Sequence, residues 1–267
     1  MKILNIGKEN STFQEILALK ENRTKRIQEK KFFVEGVQNI KDAISNNWKI
    51  INFIYSDYDL LSDWAKGILN LSEQNICLTE DLMKKLSDKD DTSELLAIIE
   101  MKKQEDVKLS KNPLIILFDR PSKKGNLGTI IRSCDALYVE QIYFTGHSVD
   151  IYDHNVITTS MGSFFKVPFK FISSNKEYEE LLKRLNENYK DFQIVATSLQ
   201  AETMVQECDF KKPTLLLVGN EAKGLSKNYV ESATQLVKIS MREGIDSLNV
   251  ACATTACLYE ISRQRNL

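Results

Sequence analysis

Five short apolar runs, each bounded by polar or turn-forming residues, dominate the second half of the chain and leave few folds open to it. PLIILFD (113–119), QIYFTG (141–146), QIVATS (193–198), TLLLVG (214–219) and LVKIS (236–240) read as strands buried on both faces. Stretches of helical periodicity at about 127–138, 176–189 and 247–264 separate or follow them. This alternation predicts an α/β fold with a mostly parallel sheet, and ligands held where loops leave the carboxyl ends of the strands.

The first part of the chain alternates too, more weakly. Helices are predicted near 11–21, 37–46, 59–70 and 80–87, and strands at 31–36, 50–56, 75–79 and 94–100, which together make a small α/β or α+β domain. All four prolines and seven of the ten glycines fall at or after position 113, and the polar segment MKKQEDVKLSKN (101–112) lies just before that change. The predicted organisation is therefore a domain over 1–105, a linker over 106–112 and a second domain over 113–267.

Composition narrows the class. Apolar residues make up 42% and charged residues 27%, enough for a core and against wholesale disorder. No apolar run approaches the roughly 18 residues of a membrane span, and the N-terminus lacks a signal-peptide pattern, so no membrane association and a cytosolic location are expected. Five cysteines without a C-x-x-C pair read as reduced, mostly buried thiols, and two histidines leave few players for a metal site or a triad. A net charge of −1 hides a local excess: residues 20–31 (KENRTKRIQEKK) carry six Lys/Arg against two Glu. Lys20, Arg23, Lys25, Arg26, Lys30 and Lys31 are candidates for phosphate contacts, against the plainer reading of a solvated helix end. Phe32 and Phe33, candidates for base stacking, are more often core in such a strand.

Three glycine-containing loops follow three of the strands. In DRPSKKGNLGTIIRS (119–133) the dinucleotide and P-loop fingerprints are absent. Asn126 sits where a helix would start, as an N-cap, and Arg132 lies six residues further on in an otherwise apolar helix. In LLLVGNEAKGLS (215–226), Gly219, Asn220 and Glu221 stand at a strand end, with Arg132 an available partner for the Glu221 carboxylate. In KISMREGIDSLNVACATTACLYEISRQR (238–265), Asp246 or Ser247 can cap a helix whose small residues permit close packing.

The segments NLGTIIR, VGNEAKGL and ISMREGIDSLNVACATTACLYEISRQR, in this order and spacing, resemble the three motifs of the SpoU (TrmH-type) RNA 2′-O-ribose methyltransferases of the SPOUT superfamily. TTSMGSFFKVPF (158–169) is similar to a serine-glycine segment of the same family. The stretch RTKRIQEKKFFVEGVQNIKDAI resembles the ribosomal-protein-like RNA-binding domain that precedes the catalytic domain in many members. The resemblance implies a trefoil-knotted methyltransferase domain, S-adenosylmethionine as cofactor, and a homodimer formed through the C-terminal domains. It also implies RNA as partner, with 23S ribosomal RNA the favoured substrate; a tRNA enzyme and an inactive RNA-binding or assembly factor are the alternatives.

Carried over by position, the resemblance implies catalytic roles for Asn126, Arg132, Glu221, Ser247 and Asn249. It implies cofactor contacts for Leu217, Val218, Gly219, Ile239, Met241, Ser247, Leu248 and Asn249. Two departures stand out: Ser240 where members usually have proline, and Asp246 before Ser-Leu-Asn. A guanidinium is a donor without acceptor capacity, so the expected part of Arg132 is to clamp phosphate and stabilise a nascent alkoxide, with Glu221 or a water nearer the proton path.

Overall fold

The computed structural model describes residues 2–87, 92–245 and 247–267. They form two compact units, Met1–Lys103 with Asp150–Lys166, and Gln104–Val149 with Val167–Leu267.

In the first unit, strands β1 (Ile3–Ile6), β2 (Lys31–Glu35), β3 (Ile50–Tyr55), β4 (Gln74–Leu78) and β5 (Leu96–Glu100) make a sheet in the order β1-β4-β3-β5-β2. β1, β4 and β3 run parallel, while β5 is antiparallel to both β3 and β2. Helices α1 (Ser11–Glu21), α2 (Arg23–Glu29), α3 (Val37–Ser45), α4 (Asp63–Ile68) and α5 (Glu80–Leu86) accompany it. Phe13, Ile16 and Leu19 of α1 meet Phe33, Ile54, Ile76 and Ile98 of the sheet in one buried cluster. α2 falls in the charged stretch and was not anticipated as a helix. Asn22 separates it from α1, since its side chain accepts from the Thr24 and Lys25 amides.

The second unit is built on a sheet whose pairings are all parallel. Strands β6 (Leu114–Asp119), β7 (Gln141–Thr145), β8 (Phe169–Ile172), β9 (Gln193–Thr197), β10 (Thr203–Met204), β11 (Thr214–Val218) and β12 (Gln235–Lys238) are ordered β10-β12-β9-β11-β6-β7-β8. β6, β7 and β11 are buried along their whole length, as their unbroken apolar runs require. Helix α6 (Lys124–Ala136) follows β6, α8 (Asn175–Asn188) follows β8, α9 (Lys227–Ser232) precedes β12, and α10 (Val250–Arg265) ends the chain. Tyr178, Leu181 and Leu185 give α8 a helical-period stripe that packs on the sheet residues Ile115, Leu117 and Leu215. Among the described residues no helix is long and apolar enough to cross a membrane.

The segment 150–166, expected within the second domain, groups instead with the first unit. The cause is a buried arginine. Arg26 on α2, 1% exposed, donates to Asp150 at 2.7 Å and to the Leu19 and Lys20 carbonyls at 2.9 and 2.6 Å, with Asp153 at 3.6 Å. A guanidinium taken out of water needs its donors satisfied this fully. Beyond it runs helix α7 (His154–Ser160), and the Trp48 indole donates to the Phe165 carbonyl at 3.0 Å. Phe32, Trp48, Tyr152, Phe164 and Phe165 interlock with centroid separations of 5.0–6.4 Å.

These placements correct the phosphate-contact set. Arg26 and Lys20, the latter 5% exposed, are interior residues of the first unit, and Phe32 and Phe33 are core rather than stacking platforms. Arg23 and Lys30 are exposed, Lys31 is half-buried, and Lys25 pairs with Glu29 at 2.8 Å.

The segment 104–112 has no helix or strand, yet it is tied down. Asp106 accepts from Tyr143 at 2.7 Å, Lys170 at 3.0 Å and Arg184 at 2.7 Å. Burial alone would raise the Asp106 carboxyl; the hydrogen bonds from Arg184, Tyr143 and Lys170 outweigh it and bring the pKa from 3.8 down to about 2. A carboxylate lowered on folding contributes stability that is complete above its unfolded pKa and is lost as pH falls through the folded one. Acid unfolding followed by circular dichroism should therefore show a loss of stability between 3.8 and about 2 that Asp106→Asn diminishes. An identical pH dependence in both proteins would contradict this.

Candidate active site

The three motif loops meet at the start of α6. Lys123, the residue before this helix, offers no side-chain cap, and the chain just ahead of the helix is held by Glu221 instead. Its carboxylate accepts from the Ser122 amide at 3.0 Å and hydroxyl, from the Lys123 amide at 3.1 Å and from Asn126 Nδ2 at 3.3 Å. A carboxylate at a helix N-terminus also meets the positive end of the helix dipole. Asn126 is thus the third residue of α6 and not its N-cap, which corrects the sequence expectation.

From Asn126 the network reaches the third loop. Asn249 Nδ2 donates to Asn126 Oδ1 at 3.0 Å, while Asn249 Oδ1 accepts from the Ala251 amide at 2.8 Å and caps α10. The cap of α10 is therefore Asn249, and neither of the two residues expected in that role: Ser247 stands before the helix, and Asp246 lies outside the described residues. Glu221, Asn126 and Asn249 form one chain of hydrogen bonds across three loops far apart in sequence.

The Glu221 loop is itself closed. Asn220 and Gly224 exchange two backbone hydrogen bonds of 3.0 Å, and Asn220 Oδ1 accepts from the Ala222 and Lys223 amides. Gly224 has φ of +64°, and a Cβ on Gly219 would lie 2.6 Å from the Gly224 carbonyl carbon, so both positions call for glycine. Asn220 Nδ2 also donates to the Arg120 carbonyl at 2.7 Å. Asp119, at the end of β6, completes the frame: it accepts from Ser226 (amide 2.8 Å, hydroxyl 2.7 Å), Thr145 (2.9 Å) and both arms of Arg120. Sequence reasoning passed over Asp119, although a carboxylate ending a buried strand was a visible signal.

The electrostatics follow from these contacts. Burial pushes the Glu221 carboxyl up, but the hydrogen bonds from Ser122 and Asn126 and from backbone amides outweigh it and hold it below the usual carboxylate range. Asp119 is likewise lowered, by Arg120, Ser226 and Thr145 against its burial. Glu221 is an anion committed to its donors, a poor place to deliver a proton.

Beside this network lies a cavity at the carboxyl ends of β9 and β12. Its lining includes Ile239, Met241, Ser247 and Leu248 from the expected cofactor set, together with Thr197, Ser198, Leu199, Val237, Lys238 and Ala253, which sequence reasoning missed. The rule that ligands sit beyond strand ends already pointed to Thr197 and Ser198, where QIVATS stops. Leu217 and Val218 do not line the cavity, since their side chains are inside the sheet at 0% and 2% exposure. Gly219 and Asn249 belong to the hydrogen-bonded loops instead.

Arg132 is not brought to Glu221. Six residues along a helix turn a side chain through about 600°, which leaves Arg132 about 120° from Asn126 around α6. It is exposed and lies in an open groove between α6 and α10, with Ser133, Leu137, Ala251, Ala256 and Tyr259 among its neighbours. It has no hydrogen bond or ion pair among the described residues.

Replacing Glu221 by alanine leaves the Ser122 and Lys123 amides and Asn126 Nδ2 without their acceptor and should cost about 1.5–3 kcal/mol, the usual net worth of hydrogen bonding to a charged group. Urea unfolding measures it. Glu221→Gln keeps one acceptor oxygen and should recover part of the loss; two variants as stable as the wild type would show that Glu221 does not brace the entry to α6.

Residues 113–259 match the model of the SpoU rRNA Methylase family, and residues 10–97 match the SpoU L30e-like domain. The chain is 35% identical over 264 residues to the 23S rRNA (uridine(2479)-2′-O)-methyltransferase of Streptomyces viridochromogenes, covering 97% of this chain and 92% of that one. The crystal structure of the SpoU methyltransferase AviRb from the same organism, in complex with the cofactor AdoMet, superposes with a TM-score of 0.90 at 35% identity, over 97% of this chain and 99% of that one. The tRNA (guanosine(18)-2′-O)-methyltransferase of Aquifex aeolicus is 36% identical over 57% of this chain and 70% of its own length. The chain belongs to the SpoU rRNA methylase family.

Proposed function

We propose that this protein transfers a methyl group from S-adenosylmethionine to a ribose 2′-hydroxyl of RNA, with 23S ribosomal RNA as the substrate. The observation that carries the reading is the chain Glu221–Asn126–Asn249, which gathers three loops beside a cavity at the ends of two parallel strands. The rRNA assignment is supported by the Streptomyces viridochromogenes relative, whose similarity runs through the N-terminal part as well, whereas the Aquifex aeolicus tRNA enzyme matches 57% of the chain. With the function goes a cytoplasmic location and the threaded, trefoil-knotted path of the second unit, supported by the likeness to AviRb.

The cavity fits an adenosyl group. Leu199, Val237, Ile239, Met241, Leu248 and Ala253 offer apolar faces to a purine, and Thr197, Ser198 and Ser247 offer hydroxyls. When bound, S-adenosylmethionine supplies an electrophilic methyl group. The residues of the chain supply position: Asn126 and Asn249 fix the loops that border the ligand, so that the attacking oxygen can be held in line. Glu221 is a positioning residue in this scheme. Its oxygens are occupied by the Ser122, Lys123 and Asn126 donors, which leaves water as the acceptor of the 2′-hydroxyl proton.

Arg132 acts on the RNA. A guanidinium gives planar, paired donors suited to a phosphate and to a nascent alkoxide. Its groove between α6 and α10 carries Leu137, Ala256 and the exposed Tyr259, an apolar surface on which a second copy of the chain would pack. The protein acts as a homodimer through this surface of the C-terminal domain. Arg23, Lys25, Lys30 and Lys31 remain as phosphate contacts of the N-terminal domain, without Lys20 and Arg26.

The test is transfer of labelled methyl groups to 23S rRNA and to tRNA. Label should enter 23S rRNA and appear in an alkali-stable dinucleotide, because a methylated 2′-oxygen cannot attack the neighbouring phosphate. Arg132→Ala should lower turnover by about 10²-fold or more with cofactor affinity unchanged. Label on a base, or none at all, would overturn the reaction; loss of cofactor binding in Arg132→Ala would remove Arg132 from the role given to it.

A further inference from the structure

The cofactor cavity contains one feature that methyl transfer does not itself require. Lys238, the last residue of β12, lines the cavity among apolar side chains and is half-buried. Its backbone is held by pairing with Met204 of β10, so the sheet fixes the point from which the side chain starts. The side chain has no hydrogen bond and no ion pair among the described residues, and no aspartate or glutamate is found among the described residues that line the cavity. An ammonium group that is partly withdrawn from water and lacks a counter-charge is unfavourable by itself.

Such a cation also works against a sulfonium donor unless a negative group of the ligand faces it. S-adenosylmethionine has one: the α-carboxylate of its amino-acid end. Resting on the cofactor reading above, we infer that Lys238 pairs with the α-carboxylate of the bound S-adenosyl amino acid and so selects ligands that carry this end. The apolar side chains of the cavity then serve the purine, and Lys238 serves the opposite end of the same molecule. The pairing favours one orientation of the ligand, since reversal would place the ammonium against the adenine and leave the carboxylate among Leu199 and Leu248. Lys238 is a specificity-determining residue that takes no part in the transfer step.

Two neutral-sulfur ligands separate this from a structural role. S-adenosylhomocysteine has the amino-acid end, and 5′-methylthioadenosine lacks it while keeping the adenosine and the sulfur. Calorimetric titration of both into the full-length wild-type protein, Lys238→Met and Lys238→Arg reads the difference. Lys238→Met should weaken S-adenosylhomocysteine by about tenfold, the value of one charge-assisted contact, and leave methylthioadenosine within about twofold. Lys238→Arg should retain most of the wild-type preference. Equal weakening of both ligands would mean that Lys238 merely shapes the cavity, and no change in either would mean that the carboxylate lies elsewhere; both results overturn the inference and leave the cofactor reading standing. Failure of S-adenosylhomocysteine to bind the wild-type protein would overturn the cofactor reading, and the inference with it.

Discussion

The carboxylate of Glu221 is the contact on which the arrangement of the site depends. The chain enters α6 without a side-chain cap, and an acid 95 residues beyond Asn126 holds the two amides just ahead of the helix, those of Ser122 and Lys123, together with Asn126 Nδ2. That one group fixes the start of α6, the orientation of Asn126 and, through Asn126, the position of Asn249 at the start of α10. Two helix starts and one strand-end loop are thereby locked to each other. Asp119 does the same work one layer deeper, where Thr145 and Ser226 hold β7 and the end of the Glu221 loop to β6. A surface assembled by two buried or half-buried anions in this way is already organised before any ligand arrives, which is what an in-line transfer needs.

The same contacts decide what Glu221 cannot do. A carboxylate stabilised by four donors is a weaker base than a free one, and here the donors outweigh burial. An acid at the centre of a site is readily taken for a proton acceptor from sequence alone. The geometry makes it a strut, and Arg132, on another side of α6 and without a partner among the described residues, faces outward into the groove between α6 and α10.

Much of the fold was legible in the sequence, and what escaped did so for identifiable reasons. PLIILFD, QIYFTG and TLLLVG are strands because an unbroken apolar run has no polar face to turn to solvent, and they are buried throughout as expected. FKFI of β8 alternates with a lysine and TM of β10 is two residues long, so neither carries enough periodicity to be read. The charge run at 20–31 was misread in part for a related reason: composition counts charges but does not say where they point. Arg26 looks like its neighbours in sequence, yet helix α2 turns it inward to Asp150 and Asp153, residues more than 120 positions away that only the folded chain brings near. Asn126 is marked out by its motif, but its role as a bridge rather than a cap depends on where α6 begins, and a helix boundary is not legible in sequence to within about two residues.

Asn126 and Asn249, joined by a hydrogen bond, hold their loops as one unit beside the cavity at the ends of β9 and β12. A double-mutant cycle on Asn126→Ala and Asn249→Ala, read as affinity for S-adenosylhomocysteine, tests it most directly. Coupled residues predict that the double variant loses clearly less than the sum of the single losses, by about 0.5 kcal/mol or more. Strictly additive losses would contradict the account, since two residues that border the cavity independently would behave in that way.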